Sequence, residues 1–252
     1  MLKLFSIIIF FLLGLYACTT QTSKQEEQNF RINNSGDTVI QDYRNDGSLL
    51  SEHTIRNGIK NGPAKIFYPS GNLKTAVYYN QGEKHGIEKR YYDDGSIHQE
   101  TPYKGGKKDG TQKKYYRDGT LMAEIPYKQG SVIPGTKEYT SSGKLLDDYP
   151  YIRFYLDTLR KNHKNYMLKM LRSDSNPAIT FYYYKKEGPG DSLKIGVPVR
   201  RHNGIGYIIF DTHNMEDIPE RYTIYGEFKS ERGTPVVLKR TWEKSADQAQ
   251  YN

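Results

Sequence analysis

Six histidines, one cysteine and one oxygen-rich loop are the groups in this chain with the types needed for chemistry. The histidines are His53, His85, His98, His163, His202 and His213, and no two keep a metal-ligand spacing such as His-Glu-x-x-His. No Gly-x-Ser-x-Gly elbow presents a nucleophile. Cys18 is the single cysteine, so no disulfide can close within the chain. Asp211-Thr212-His213-Asn214-Met215-Glu216-Asp217 gathers oxygen ligands, but it lacks the calcium-loop spacing and follows a strand-like run directly. It reads as a solvated loop. With no catalytic set, metal site or cofactor motif, the chain is expected not to be an enzyme.

Tyrosine supplies recognition chemistry instead, at 23 of 252 residues. Tyr79, Tyr91, Tyr103, Tyr115 and Tyr127 recur regularly and read as a stacked core. Tyr68, Tyr92 and Tyr116 each adjoin a core position, which places them on the opposite face of a strand. Beside them run Lys89, Arg90, Lys113, Lys114 and Arg117. Aromatic rings in a row with cations suit sugar rings or a partner protein. Solvated cross-strand pairs are the other reading of the same residues.

The elements that position these residues repeat every 24 residues from Tyr43 to Tyr151. Gly47, Gly71, Gly95, Gly119 and Gly143 keep that spacing, and Leu49, Leu73, Ile97, Leu121 and Leu145 follow two residues later. Gly58, Gly82, Gly106 and Gly130 form a second glycine series. In the unit Gly71–Asp94, alternation over Leu73–Tyr79 predicts a half-buried strand, Asn80–Glu83 a turn, and Ile87–Tyr92 a second strand. Each unit is thus a β-hairpin, too small to stand alone in water, that must stack on its neighbours. Glycines 62, 86 and 110 sit within the return strand, where close approach of a neighbouring ring would account for them. The last unit is irregular (Pro134-Gly135, then Thr140 in place of a tyrosine), as a capping repeat should be.

The pattern Tyr-Tyr-x-Asp-Gly-x-Leu followed by Tyr-x-x-Gly-x-x-x-Gly, as in Tyr92–Gly110 and Tyr116–Gly130, resembles the MORN-type repeat. More closely it is similar to the bacterial variant labelled a YwqK-family antitoxin. The resemblance implies a stacked-hairpin scaffold without catalytic residues, and its label implies neutralisation of a toxin as an alternative role.

At the N-terminus, Lys3 precedes the apolar run Leu4–Tyr16, which is too short to span a bilayer and has the layout of a secretory signal. Leu15-Tyr16-Ala17-Cys18 resembles a bacterial lipobox. That resemblance implies cleavage before Cys18 and acylation of its sulfur and amine, a stable membrane anchor. Thr19 is not the aspartate that retains lipoproteins at the inner membrane, so an outer-membrane lipoprotein is expected, facing the periplasm or the surface. Glu26-Glu27 resembles the surface-export signal of Bacteroidetes lipoproteins.

Residues 1–17 are therefore read as signal, 18–40 as lipidated cysteine and flexible tether, 41–150 as repeats and 151–252 as a second domain. The tether is polar, with almost nothing to bury. Net charge of +8 is spread along the chain, which favours solubility over a nucleic-acid footprint. The expected partners are the membrane, through the anchor, and an envelope protein or glycan, not nucleic acid.

Beyond Tyr151 the period is lost. Ile152–Leu156, Tyr166–Leu171, Ala178–Lys186, Gly206–Asp211, Arg221–Lys229 and Pro235–Glu243 read as strands, with a hairpin loop at Ser230–Thr234. Over 151–172 a helical stripe competes with two strands, and the turn-like Lys161–Asn165 favours the strands. The fold expected is all-β: a MORN-type sheet of stacked hairpins, then a small antiparallel sandwich, immunoglobulin-like or transthyretin-like.

Overall fold

Alternating residues between glycine-bearing turns fold the first half of the chain into one antiparallel meander. The computed structural model describes residues 29–158, 166–183, 197–210, 212 and 215–244. The segment read as a signal, Cys18, residues 161–165 read as a turn, Asp211, His213 and Asn214 lie outside the described residues. The architecture is all-β, as expected.

The sheet has 13 strands: β1 (Asn29–Ile32), β2 (Thr38–Tyr43), β3 (Leu49–Arg56), β4 (Ile59–Phe67), β5 (Leu73–Asn80), β6 (Glu83–Tyr91), β7 (Ile97–Lys104), β8 (Lys107–Lys108), β9 (Gly110–Tyr115), β10 (Leu121–Lys128), β11 (Ser131–Val132), β12 (Lys137–Tyr139) and β13 (Leu145–Leu146). They pair in sequence order, apart from the short β8 and β11, which pair β7 and β10 off the main path.

Two kinds of turn alternate along its edges. At one edge Gln81-Gly82 has φ of 47° and 85°, the two-residue turn whose twist matches that of the strands. At the other, Asp94 Oδ1 accepts from the Ser96 amide at 2.9 Å and Gly95 takes φ 87°. That is a wider turn closed by a glycine. Gly86 and Gly110 answer a different need from the one expected. No aromatic ring lies over either: an added Cβ would meet nothing at Gly86 and would come within 2.9 Å of the Pro102 side chain at Gly110, and their φ values of 74° and 114° are the left-handed kind. Between Ala76 and Tyr78 the pairing slips, so that three residues of β6 face one of β5, and Gly86 absorbs the bulge.

The sheet begins inside the stretch read as tether, which corrects that boundary: residues 29–40 are in the hairpin β1–β2. Asn33 Oδ1 accepts from the amides of Ser35 and Asp37, both at 2.9 Å, and shapes the turn. Arg56 then holds Asp37 in a bidentate pair, 2.7 Å for each bond. This keeps the Asp37 carboxyl below its usual range. Average polarity hid an Asn-Asn-Ser-Gly turn between two short β-forming runs.

The second domain stacks two sheets of four strands. One runs β14 (Ile152–Thr158), β15 (Tyr166–Arg172), β19 (Ile205–Phe210), β18 (Arg200–His202). The other runs β17 (Val197–Pro198), β16 (Thr180–Tyr183), β20 (Arg221–Lys229), β21 (Pro235–Glu243). The competing helix over 151–172 is replaced by β14 and β15, paired antiparallel from Ile152↔Arg172 to Thr158↔Tyr166. Trp242, Phe181, Leu168, Met170, Ile179 and Ile224 fill the space between the sheets. β17 and β18 are too short to carry a pattern that the sequence reading could recognise.

The two parts meet where the ladder ends. The Ser230–Thr234 loop joining β20 to β21 places Arg232 Nη1 2.9 Å from Tyr116 Oη and 2.7 Å from the Tyr139 carbonyl. Buried Glu138 accepts from Ser230 Oγ and from Tyr149 Oη, both at 3.0 Å. Burial, then the Glu138 charge, push the Tyr149 phenol well up. The irregular last repeat is thus covered by the sandwich, which does for the ladder's end what a further repeat would otherwise do.

Candidate binding face

Hairpin register decides which side chains share a face. Tyr79 pairs with Lys84 across a two-residue turn, so residues on one face of the two strands differ by an odd number. Tyr79 and Tyr91 lie twelve apart, an even number, and fall on opposite faces. The five periodic tyrosines are accordingly not one stacked core. Tyr79, Tyr103 and Tyr127 belong to one face, Tyr91 and Tyr115 to the other. Four of them are half-buried, and Tyr127 alone counts as buried.

On the first face lysines alternate with the rings. Lys60 lies 5.5 Å from the Tyr79 centroid, Lys84 5.0 Å from Tyr103, and Lys108 4.5 Å from Tyr127. The order across β4, β5, β6, β7, β8 and β10 is therefore Lys, Tyr, Lys, Tyr, Lys, Tyr. A second row holds Glu88 opposite Thr101, both buried. Thr101 Oγ1 accepts from Gln112 at 2.8 Å and from Gln99 at 3.0 Å. A third row runs Thr75, Arg90, Gln99, Lys114 in register.

Charge on this face is one-sided. Glu88 holds both Lys84 and Arg90, the latter at 2.9 Å. Lys60, Lys108 and Lys114 have no carboxylate in ion-pair range among the described residues. Burial, reinforced by Arg90, lowers the Lys108 ammonium's pKa. Burial and the Lys60 charge depress His53, while burial with Lys114 and Arg90 depresses His98. Cations crowd here without enough anions, and that charge adds to burial, the larger cause, in holding the two histidines toward neutrality. A cleft of about 230 Å³ opens in the same face, lined by His53, Lys60, Val77, Tyr79, Lys84 and Arg90 among others.

The opposite face is balanced. Lys65 meets Glu52 at 3.1 Å, Lys89 meets Glu100 at 3.3 Å, and Lys137 approaches Glu124 at 3.9 Å. Lys113 stands in register between Glu100 and Glu124. Tyr115 Oη donates to Glu100 at 2.9 Å, and burial with that carboxylate pushes the phenol up to about 12.

The residues singled out in the sequence do not come together on one surface. Lys89 and Lys113 stand in the balanced ladder, whereas Arg90 and Lys114 stand on the lysine–tyrosine face. Tyr68, Tyr92 and Tyr116 sit at the glycine-closed turns. Their hydroxyls donate to the carbonyls of Tyr91, Tyr115 and Tyr139 at 2.8, 2.8 and 2.9 Å. Each ties its unit to the next. Arg117 lies 4.7 Å over the Tyr92 ring and pairs with Asp94 at 2.8 Å. The Ser96 hydroxyl and amide, and then Arg117, draw Asp94 down to about 2. Sequence reasoning missed Lys60, Lys84 and Lys108, although they keep the 24-residue period and two of them stand five places after a tyrosine. Hairpin register across a two-residue turn would have paired them with the rings.

Three stretches, 60–81, 84–104 and 108–129, match the family model described as MORN repeat variant. Each begins on a return strand at β4, β6 or β8 and ends near the next two-residue turn. The matched unit is therefore a hairpin closed at the wider turns, Ser70-Gly71, Asp94-Gly95 and Asp118-Gly119. No curated protein matches the chain.

Proposed function

We propose that this chain is a lipid-anchored scaffold of the cell envelope, without catalytic activity, whose repeat sheet holds a partner on its lysine–tyrosine face. One observation carries the reading: Lys65, Lys89 and Lys137 on the opposite face meet carboxylates, while Lys60 and Lys108 lie over the Tyr79 and Tyr127 rings and, like Lys114, have no carboxylate partner in ion-pair range among the described residues. Uncompensated surface cations repel one another and attract anions. Repeats of this kind generally bind proteins or membranes, which agrees with a scaffold. The anchor rests on Cys18 following Leu15-Tyr16-Ala17, and an outer-membrane position on Thr19.

A single experiment tests both halves. Cells fed an alkyne fatty acid are solubilised, and the protein is recovered with whatever it holds. Wild type should carry the label and retain its partner. Cys18→Ser should lose the label. Lys60→Gln with Lys108→Gln should keep the label, keep its melting temperature and release the partner. Label on Cys18→Ser would remove the anchor. Full retention by the lysine variant would remove the binding face, and recovery of a protein toxin would favour the immunity role instead.

A further inference from the structure

We infer that the partner of the lysine–tyrosine face is a linear anionic polysaccharide carrying one acidic group per disaccharide. The inference rests on the reading of that face as a binding surface and names the chemistry it recognises. Three features of the face select this class of polymer.

The first is spacing. Lys60, Lys84 and Lys108 occupy alternate strands, because a 24-residue unit contributes two strands to the sheet. Strands lie nearly 5 Å apart, so successive lysines are about 10 Å apart. A disaccharide in an extended glycan covers a similar distance. An extended peptide instead offers side chains on one side about every 7 Å. A receptor that repeats by translation fits a ligand that does the same, and polysaccharides repeat where encoded peptides rarely do.

The second is the ring between each pair of cations. Tyr79 and Tyr103 each lie between two lysines, one centred over the ring and one paired in register. The apolar face of a pyranose packs on such a ring, while the phenol serves a sugar hydroxyl. A ligand carboxylate or sulfate then meets the ammonium of Lys60 or Lys108, which have no carboxylate partner among the described residues, whereas Lys84 between them is shared with Glu88. Lys114, one row along, extends the positive track, and Arg90 in register with the same row shares the single Glu88 carboxylate with Lys84.

The third is relief. The cleft of about 230 Å³ beside Tyr79 and Lys84 has room for a sugar ring, with His53 and Val77 on its wall. A planar membrane surface cannot enter a recess of that size, whereas a glycan chain lying across the strands can.

The test titrates the purified protein with hyaluronan oligosaccharides of one, two and three disaccharides. Binding should strengthen at each step and weaken with salt. Lys60→Gln with Lys108→Gln should lower hexasaccharide affinity roughly tenfold, the size expected for two exposed charge contacts. Lys89→Gln with Lys113→Gln, on the balanced face, should bind as wild type does. Circular dichroism and melting temperature verify that both variants are folded. A hexasaccharide that binds no tighter than the disaccharide, or equally well to the Lys60/Lys108 variant, overturns the inference. If polyglutamate or phosphatidylglycerol vesicles bind and the hexasaccharide does not, the glycan assignment falls while the binding face stands. If no probe binds and envelope capture ignores the lysine variant, both fall.

Discussion

Phe181→Ala should cost the sandwich about 3–5 kcal/mol, the usual penalty for emptying a large buried aromatic site. Phe181 is fully buried on β16, and a Cβ built at Gly206 of the facing sheet would come within 2.7 Å of its ring. The ring therefore rests on backbone, which cannot collapse into the space that alanine would leave. Trp242 is the chain's single tryptophan and is buried in the same core, so its fluorescence reports this domain alone. The urea midpoint seen by that probe should fall by roughly 2 M, given slopes of about 1–3 kcal/mol per molar for small domains. A shift of less than about 0.5 M would mean that the core repacks readily and the two sheets are not held at this point.

Deletion in the ladder should give two sharply different proteins. Removing Gly71–Asp94 takes out β5, β6 and both their turns, and joins Ser70 to Gly95. Strand direction is preserved, and β4 meets β7 with the partners it had in β5: Gly62 opposite Tyr103 in place of Tyr79, Phe67 opposite Ile97 in place of Leu73. Nearest-neighbour energetics then predict a shorter, cooperatively folding sheet of modestly lower stability. Removing only Gly71–Gly82 takes out one strand. Every later strand would then have to run the opposite way or leave the sheet, and the tie from Tyr68 to the Tyr91 carbonyl is lost. That protein should aggregate or unfold without a cooperative transition. Circular dichroism melting of the pair distinguishes the cases, and equal damage from both deletions would contradict a stacked-hairpin ladder.

The period was legible because it lies in residue type at fixed spacing, and from it the hairpins and turns could be read; beyond it, β-forming composition around a Gly-containing loop gave the limits of β20 and β21. Face assignment was not read correctly. Regular recurrence suggested one core, but pairing across a two-residue turn puts residues an odd number apart on one face, so Tyr79 and Tyr91 part company. Long-range contacts leave no local trace at all. Nothing near Tyr116 announces that Arg232 will reach its hydroxyl from the sandwich. Substitution by function is similarly silent: Arg44 stands one period before Tyr68 and donates to the Phe67 carbonyl, as Tyr68 does to that of Tyr91. The start of the sheet was hidden by composition, since Phe30 and Ile32 are too few apolar residues to signal a strand against Gln, Asn and Ser.

The central claim is that one face of the ladder binds and the other only holds its own charges together. Lysine acylation by an amine-reactive reagent, read by mass spectrometry with the protein in buffer and in envelope extract, tests it most directly. Lys60, Lys108 and Lys114 should be modified freely in buffer and protected in extract, while Lys65, Lys89 and Lys137 should react alike in both. Protection confined to the second set, or absent from both, would contradict the account.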